Sequence, residues 1–230
     1  MTDFPILPVL ATLLISYLVG SIPVGWIVVM LFTGRDVRKI ESGRTGGTNV
    51  MRAAGLLPGL LTALGDVAKG YSTCLIVAWL IPADLSWRVW IQVAAPLMAI
   101  LGHNYSIYLI ERRADGKMAL RGGAGGATCF GGALGLWPWS GFIILPLGIL
   151  VFLLVGFASI TTLSIAVSSL VVMIYLVVAL GYPWPYILYG VASILILGWA
   201  LRPNLVRLAN GTERPVGLRA YLAKRRAAGK

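Results

Sequence analysis

The stretch ILPVLATLLISYLVGSIPVGWIVVMLF, residues 6–32, contains no charged side chain and is apolar almost throughout. A helix needs about 20 such residues to cross the hydrocarbon core of a bilayer, so this stretch is long enough to span a membrane. The composition of the whole chain agrees. Of its 230 residues, 58% are hydrophobic and 12% are charged, whereas a soluble domain is nearer half apolar and about a quarter charged. The sequence therefore predicts an integral membrane protein.

Further apolar runs follow the first one. They cover residues 56–81, 89–110, 127–157, 160–180 and 186–201. The run 127–157 is too long for one ordinary span, and Pro138, between two tryptophans in LWPWS (136–140), divides it into two short crossings. We expect an all-α fold, a polytopic bundle of about seven transmembrane helices that forms a single domain over residues 1–230.

Positive charge is concentrated in three segments outside these runs. Of the 19 lysines and arginines, all but Lys69 and Arg88 lie in residues 34–55, 111–126 and 202–230. Because basic segments of membrane proteins face the cytoplasm, all three are predicted to be cytoplasmic, with the N-terminus outside. The net charge of +11 then reflects membrane topology, so no nucleic-acid partner is expected. The basic tail 202–230 is expected to lie near anionic membrane lipids.

The cysteines and the single histidine offer little chemistry by themselves. Cys74 and Cys129 lie inside or beside apolar runs, where cysteine behaves as a small hydrophobic residue. We expect no disulfide framework, no metal site and no cofactor. His103, in LGHNYS, is more typical of a hydrogen-bonded structural residue than of a catalyst, and no second histidine or cysteine stands at ligand spacing.

Two opposite charges interrupt the second apolar run. Asp66 and Lys69, in LTALGDVAKGYS, are three positions apart and therefore share one helix face. A charge inside an apolar bundle is costly unless it is paired or solvated. The pair is either a structural ion pair that joins helices or a positive site for an anionic headgroup that the aspartate anchors.

The first basic segment combines polar side chains, glycines and arginines in ESGRTGGTNVMR (41–52). Ser42 and Asn49 offer hydrogen bonds, while Arg44 and Arg52 supply charge. Arginine forks together with backbone N–H groups suit a phosphate dianion. The alternative is an ordinary basic loop whose glycines and serine make turns.

The second basic segment ends in a glycine-rich stretch, MALRGGAGGATCFGG (118–132). Backbone N–H groups of such loops close around anions, and Arg121 and Thr128 add a charge and a hydroxyl. The stretch has Ala124 where a phosphate loop is expected to carry a lysine. Small residues also permit close helix packing. We expect Gly131, Gly132 and Gly135 to pack, and Gly122, Gly123, Gly125 and Gly126 to face an anion.

Taken in order, these motifs resemble the bacterial membrane acyl-phosphate:glycerol-3-phosphate acyltransferases. The motifs of that family are GSIPxG, GSGNxGATNxxR, DxxKG, GHxxP, GGKGVAT and HRxNxxRLxxGxE. The corresponding stretches here are GSIPVG (20–25), ESGRTGGTNVMR (41–52), DVAKG (66–70), GHNYS (102–106), GGAGGAT (122–128) and RPNLVRLANGTE (202–213). Their order and spacing agree across most of the chain.

The resemblance implies an enzyme of the bacterial plasma membrane that transfers an acyl group from acyl phosphate to glycerol 3-phosphate. The product would be lysophosphatidic acid, made for phospholipid synthesis. No protein nucleophile is implied, because an acyl phosphate is already activated and mainly needs orientation and anion stabilisation. The implied residues are Ser42, Asn49, Arg52, Lys69 and Asn204 for the substrate, Gly122, Gly123, Gly125 and Thr128 for the acyl phosphate, and Asp66, His103 and Glu213 in support. We expect Arg44 to join the substrate-binding residues and Arg121 to join the acyl-phosphate loop.

The chain departs from the family at several motif positions, and most of these departures remove an ionisable side chain. Arg44 replaces an asparagine of the first motif, and Ala124 replaces the lysine of the glycine loop. Leu201 stands where the C-terminal histidine is expected, and Gly156 in VGFASI replaces an arginine. Losses of this kind suit either a diverged paralogue or a member with a rearranged site.

Three functions therefore stay open. The first is an acyltransferase, and the second is a catalytically weak paralogue that binds or senses lipid phosphates. The first two differ in whether Arg44, Lys117 or Arg121 reaches the glycine loop and replaces the charge missing at Ala124. The third is a small membrane transporter, for which Pro23 is the only candidate helix break.

Overall fold

The computed structural model of the chain describes residues 6–112 and 116–228. It is a helical bundle with a short hairpin. In chain order the helices are α1 Ile6–Ser21, α2 Val24–Thr33, α3 Gly47–Ala54, α4 Leu56–Leu80, α5 Arg88–Asn104, α6 Gly126–Leu136, α7 Gly141–Leu150, α8 Ala158–Leu180, α9 Pro185–Ala209 and α10 Gly217–Ala228. Arg113 and Lys230, which the charge pattern includes, lie outside the described residues.

The first apolar run forms two helices instead of one. α1 ends at Ser21 and α2 begins at Val24, because Pro23 has no N–H group for the helical ladder. The N–H group of Val24 donates to the carbonyl oxygen of Ile22 over 3.0 Å. Pro23, named above only as a candidate break, thus divides a run that was expected to form one span.

A β-hairpin, which the all-α prediction did not include, begins before the second basic segment and continues into it. Strand β1, Ser106–Arg112, pairs antiparallel with strand β2, Met118–Arg121. The third apolar run was predicted to continue to residue 110, yet α5 ends at Asn104. The stretch SIYLIER contains β-branched and aromatic residues, which favour strands, and it forms a strand because it pairs with β2. The fold is therefore mostly helical with one hairpin.

The long run 127–157 is divided where the sequence predicted. α6 ends at Leu136, a short 3₁₀ turn covers Pro138–Ser140, and α7 continues through a π-helical turn over Val151–Val155. The 11 residues of α6 span roughly 16 Å, about half of the hydrocarbon core. The run is thus two short helical pieces, the first of them too short to cross alone.

Five stretches of the described residues are long and apolar enough to cross a membrane. They are Ile6–Thr33, Leu56–Leu80, Pro138–Val155, Ala158–Leu180 and Pro185–Ala209. Large apolar side chains on the outside of the bundle, such as Trp79 and Val178, are about four-fifths exposed, as suits a lipid-facing surface. The protein is therefore an integral membrane protein, and seven crossings, which would need α5 and α6 as well, stay a prediction.

The basic tail begins later than the sequence predicted. α9 continues past Leu201 to Ala209, so residues 202–209 belong to a helix and not to a tail. Pro203 falls inside α9, and the helix continues beyond it. Beyond α9, α10 carries exposed Leu218, Tyr221 and Leu222.

Close packing in the middle of the bundle depends on glycine. A Cβ on Gly131 would overlap the carbonyl oxygen of Val67, and one on Gly135 would overlap Sγ of Cys74. α6 therefore lies directly on α4, which confirms the packing role predicted for these glycines. The buried core beside it is formed by side chains of α5, α6, α8 and α9, including Ile100, Phe130, Met173, Tyr189 and Leu197.

Candidate active site

The three basic segments meet at one end of the bundle. The N–H group of Thr45 donates to the carbonyl oxygen of Gly122 over 3.4 Å, which joins the first segment to the second. Nη2 of Arg52 donates to the carbonyl oxygen of Pro215 over 3.3 Å, which joins the first segment to the third. Segments far apart in the sequence therefore form one polar surface.

A cavity of about 150 Å³ opens in this surface. Its walls come from the first basic segment, the end of α9 and the turn that follows. The lining residues are Glu41, Ser42, Arg52, Asn204, Arg207, Glu213 and Arg214. The pocket thus holds three arginines and two carboxylates. Whether it binds an anion depends on which of the arginines are already paired with a carboxylate.

Both carboxylates of the pocket have arginine partners. Glu213 pairs with Arg207 at 3.2 Å, and Glu41 pairs with Arg214 at 2.8 Å. Arg52 has no carboxylate within ion-pair distance among the described residues. Burial lowers the pKa of Arg52, although arginine keeps its proton in proteins. Arg52 is thus the pocket cation left for an anionic ligand.

Asn204 supplies an acceptor to the same pocket. Its Nδ2 donates to Oε1 of Glu213 over 2.8 Å, which fixes the orientation of the amide. Its Oδ1 is buried and has no hydrogen-bond partner among the described residues. A buried carbonyl oxygen without a donor is costly. This atom is therefore suited to accept a hydrogen bond from a hydroxyl group of a ligand.

The side chain of Asn49, which the resemblance assigns to the substrate, is held by backbone groups of the first segment. Its Nδ2 lies within hydrogen-bond distance of the carbonyl oxygens of Ile40 and Arg44, at 3.1 and 2.9 Å. Its Oδ1 accepts from the N–H group of Ser42 at 3.3 Å. Both ends of the buried amide are thus occupied by the backbone of the first segment. Asn49 shapes the segment that carries Ser42 and does not line the cavity itself.

The glycine loop, residues 122–126, lies across the end of α5. The N–H group of Gly123 donates to the carbonyl oxygen of His103 over 3.0 Å. A Cβ on Gly122 would overlap this same carbonyl oxygen, and Gly125 adopts a φ of +89°, which favours glycine. The contact of Gly122 with α5 and the turn at Gly125 therefore each require a glycine, independently of any ligand that the loop binds.

Unpartnered polar groups gather where this loop enters α6. The first N–H groups of a helix have no acceptor within the helix. The hydroxyl group of Thr128, in the first turn, is fully buried without a partner among the described residues. Neither polar atom of the Asn104 side chain, which is 5% exposed, has a partner there either. Donors and acceptors thus remain available around the N-terminus of α6.

Arg44 connects the first segment to the glycine loop. Its Nη1 donates to the carbonyl oxygen of Gly123 over 3.1 Å, and its Nη2 donates to the carbonyl oxygen of Ala200 on α9. Burial, together with the positive charge of Arg207, lowers the pKa of Arg44. A charged guanidinium therefore lies against the loop that lacks a lysine at Ala124.

Asp66, Lys69 and His103 form a buried cluster behind the loop. Oδ1 of Asp66 lies 3.0 Å from Nζ of Lys69 and 3.4 Å from Nδ1 of His103. Nζ of Lys69 also donates to the carbonyl oxygen of Ile22 over 3.0 Å, at the break before Pro23. Lys69 is thereby engaged on two sides inside the bundle and does not line the cavity. The structural interpretation of this ion pair fits its geometry better than direct contact with an anion.

The structure brings together part of the set of residues derived from the sequence. Ser42, Arg52, Asn204 and Glu213 line the cavity, and Arg44 touches the glycine loop. The side chain of Arg121 is half exposed and pairs with Glu111 on the hairpin, away from the cavity.

Sequence reasoning missed four residues of this region. They are Glu41, Arg207 and Arg214 in the cavity wall and Asn104 beside the loop. The position of Arg207, three residues after Asn204 on a helical pattern, was the one signal that placed it on the same face. Among the described residues, no group of three or more histidine, cysteine, aspartate or glutamate side chains could hold a metal ion.

Comparison with known proteins gives one consistent result. A family model described as glycerol-3-phosphate acyltransferase matches residues 10–211. A glycerol-3-phosphate acyltransferase of Thermus thermophilus is 40% identical over 213 residues, which are 91% of this chain and 96% of the relative. Glycerol-3-phosphate acyltransferase 2 of Moorella thermoacetica is 34% identical, with 92% of this chain and 99% of the relative covered.

Two solved structures share the fold. Both are crystal structures of PlsY, described as an integral membrane glycerol 3-phosphate acyltransferase. The glycerol 3-phosphate form has a TM-score of 0.76 at 27% identity and covers 93% of this chain and 98% of its own. The lysophosphatidic acid form has a TM-score of 0.74 at 26% identity, with the same coverage. The likeness therefore extends over nearly the whole of both chains.

Proposed function

The chain belongs to the glycerol-3-phosphate acyltransferase family, and from that premise we propose how its site works. The protein is an acyltransferase of glycerol 3-phosphate that is integral to a membrane. Its acyl donor is an acyl phosphate, and its product is lysophosphatidic acid for phospholipid synthesis. One observation carries the proposal: the cavity holds an arginine without a carboxylate partner and an amide oxygen without a donor among the described residues.

Glycerol 3-phosphate binds in this cavity. Its phosphate lies against Arg52, while Arg207 and Arg214 stay paired with Glu213 and Glu41. Its glycerol end donates a hydrogen bond to Oδ1 of Asn204, and Ser42 adds a further polar contact from the wall. Asn49 and Glu213 keep Ser42 and Asn204 in place.

The acyl phosphate binds at the glycine loop. Its phosphate takes the free N–H groups at the start of α6 and the hydroxyl group of Thr128. Gly122, Gly123 and Gly125 keep the loop on α5, and the buried cluster of Asp66, Lys69 and His103 supports it from behind. The acyl chain remains among the apolar side chains that face the lipid.

The transfer is direct. A hydroxyl oxygen of glycerol 3-phosphate attacks the acyl carbon, a new C–O ester bond forms, and the bond from that carbon to the bridging phosphate oxygen breaks. The proton of the hydroxyl group ends on the released phosphate. Because the donor is already activated, orientation of the two substrates and stabilisation of the growing negative charge are the main requirements. No protein nucleophile takes part.

The topology proposed with this mechanism has seven crossings in one domain. The N-terminus is outside, and residues 34–55, 111–126 and 202–230 face the cytoplasm of a bacterial cell, from which glycerol 3-phosphate enters the site. Two observations support it. The three basic segments lie together at one end of the bundle, and their charge follows the positive-inside rule.

A donor comparison tests the proposal. Purified protein in detergent is given glycerol 3-phosphate with palmitoyl phosphate, palmitoyl coenzyme A or a palmitoyl thioester of acyl carrier protein. We expect lysophosphatidic acid only with palmitoyl phosphate. Equal or greater turnover of a thioester would overturn the proposed donor, and binding of both substrates without any product would identify a paralogue that only binds lipid phosphates.

A further inference from the structure

Arg44 lies between Ala124 and Leu201. At these two positions the family motifs have a lysine and a histidine, and this chain has apolar side chains. Its Nη1 donates to the carbonyl oxygen of Gly123, the residue before Ala124. Its Nη2 donates to the carbonyl oxygen of Ala200, the residue before Leu201. Leu201 itself is 2% exposed. One guanidinium thus occupies the space between the glycine loop and α9, beside both apolar replacements.

The charge of Arg44 is not neutralised by the residues around it. No carboxylate of the described chain lies within ion-pair distance of its guanidinium. Glu213 attracts it from further away, but that carboxylate is already bonded to Asn204 and Arg207. Carbonyl oxygens satisfy two of the five guanidinium donors and leave the net charge in place. A largely desolvated cation without a counter-ion is a ready partner for an anion.

Other groups around Arg44 also lack partners among the described residues. The N–H groups at the start of α6, the hydroxyl group of Thr128 and the amide of Asn104 surround the same loop. Oδ1 of Asn104 lies where it would be 2.7 Å from a Cβ on Gly125. A tetrahedral oxyanion has several oxygens and uses several donors at once. A phosphoryl group is the ligand chemistry that fits a cation beside this many unused hydrogen-bonding groups.

The other candidate cations are held elsewhere. Arg121 pairs with Glu111 on the exposed side of the hairpin, and Lys117 is exposed in the turn that leads into β2. Arg52 and Arg207 belong to the cavity wall. Among the described arginines, Arg44 is the one whose guanidinium bonds to the backbone of the glycine loop.

We propose that Arg44 is the catalytic cation for the acyl phosphate, moved to the first basic segment in place of a lysine in the glycine loop. The inference rests on the proposed function. As the bond between the acyl carbon and the bridging oxygen breaks, negative charge grows on the departing phosphate. The guanidinium keeps unused N–H donors beside the loop to stabilise that charge. The proton from the attacking hydroxyl group still ends on the phosphate.

A charge-relocation experiment tests this inference. The variants are Arg44→Asn, Ala124→Lys and the double variant that combines them. We expect Arg44→Asn to lower kcat/KM for palmitoyl phosphate by about 10²–10³ and to change KM for glycerol 3-phosphate by less than about threefold. Ala124→Lys alone should lower turnover, since two like charges would crowd one site. The double variant should recover most of the activity lost in Arg44→Asn.

Product inhibition supplies a second readout that a merely structural role would not move. Inorganic phosphate should inhibit the wild type at the acyl-phosphate site, and Arg44→Asn should need at least about tenfold more phosphate for the same inhibition. Thermal unfolding of each variant in detergent shows whether it is folded. Arg112→Asn serves as a matched control, because Arg112 is an exposed residue of β1 whose Nε donates to the carbonyl oxygen of Gly116 within the hairpin, and it should behave as the wild type.

Two results would overturn the inference while leaving the proposed function intact. One is wild-type kinetics with palmitoyl phosphate in Arg44→Asn. The other is a folded double variant that is no more active than Arg44→Asn. Failure of the proposed function looks different, because the wild type itself would then form no lysophosphatidic acid from palmitoyl phosphate.

Discussion

Nε2 of His103 lies only 2.0 Å from the position that a Cβ on Gly123 would take. The glycine loop therefore rests directly on the imidazole ring, which Asp66 holds from its other side at 3.4 Å. Close packing and ligand binding both require a residue without a side chain at Gly123. A bulky substitution there therefore does not distinguish a packing role from a binding role. This relationship connects the buried charges of α4 to the loop proposed to hold the acyl phosphate.

The first prediction concerns Gly123. Gly123→Ala should lower both the unfolding temperature and the activity, because the new Cβ must displace the ring of His103 or lift the loop from α5. Thermal unfolding and turnover are measured together. Gly198→Ala on α9, where nothing lies within 4 Å of an added Cβ, should leave both unchanged or slightly raise stability. A fully stable, fully active Gly123→Ala would contradict the close packing.

A second prediction concerns the ion pair in α4. Lys69→Met should cost roughly 3–5 kcal/mol of stability, since it leaves Asp66 buried with only His103 beside it. Asp66→Asn in the same chain should restore much of that loss. Denaturation curves of the single and double variants measure the coupling. A loss of glycerol 3-phosphate affinity at unchanged stability would instead show that Lys69 contacts the substrate.

The pocket arginine gives a third prediction. Arg52→Ala should raise KM for glycerol 3-phosphate by at least about tenfold, because a charge-assisted contact to phosphate is lost. KM for the acyl phosphate should change little. Arg112→Ala, on the hairpin, is the control and should match the wild type. Equal affinities for glycerol 3-phosphate in Arg52→Ala and the wild type would reduce the first segment to a basic surface.

Asn204 is expected to act on the hydroxyl end of the substrate. Asn204→Ala removes the free carbonyl oxygen and should lower kcat/KM for glycerol 3-phosphate by about tenfold, the value of one hydrogen bond to a neutral group. Its partner Glu213 also loses a donor at 2.8 Å, so unfolding must be followed as well. An unchanged kcat/KM in a folded variant would remove Asn204 from the substrate site.

Cysteine labelling of intact cells tests the topology. A membrane-impermeant maleimide should label Ala83→Cys, while Arg35→Cys and Ala223→Cys should react only after permeabilisation. Thr45, also in the first basic segment, is 3% exposed and would resist labelling on either side, so it is uninformative. Cys74 is partly buried, and its labelling is measured in the unsubstituted protein and subtracted as background. Labelling of Arg35→Cys in intact cells would show that the predicted orientation is wrong.

The placement of the helices was largely readable from the sequence. Hydrophobic runs and prolines act locally, so the breaks at Pro23 and in LWPWS appear where single residues remove backbone hydrogen bonds. The end of α5 was not readable, because SIYLIER is apolar enough to continue a span and becomes a strand only by pairing with β2. Short apolar runs do not distinguish strand from helix.

The composition of the site was readable in part, and its geometry was not. Motif residues such as Ser42, Arg52 and Asn204 do line one cavity. The roles of Asn49 and Lys69 depend on hydrogen bonds to backbone carbonyls, which no residue pattern reveals. The contact between Arg44 and Gly123 joins residues 79 positions apart. Only the folded chain shows which of several cations reaches the glycine loop.

The central claim is direct transfer of the acyl group from acyl phosphate to glycerol 3-phosphate. The ratio of released phosphate to lysophosphatidic acid in a pre-steady-state assay tests it most directly. Purified protein is mixed with palmitoyl phosphate, first without and then with glycerol 3-phosphate, and released phosphate and lysophosphatidic acid are counted. The account predicts no phosphate burst without glycerol 3-phosphate and one phosphate per lysophosphatidic acid with it. A burst of one phosphate per protein before the acceptor is added would contradict it, because an acyl group would then have passed to the protein.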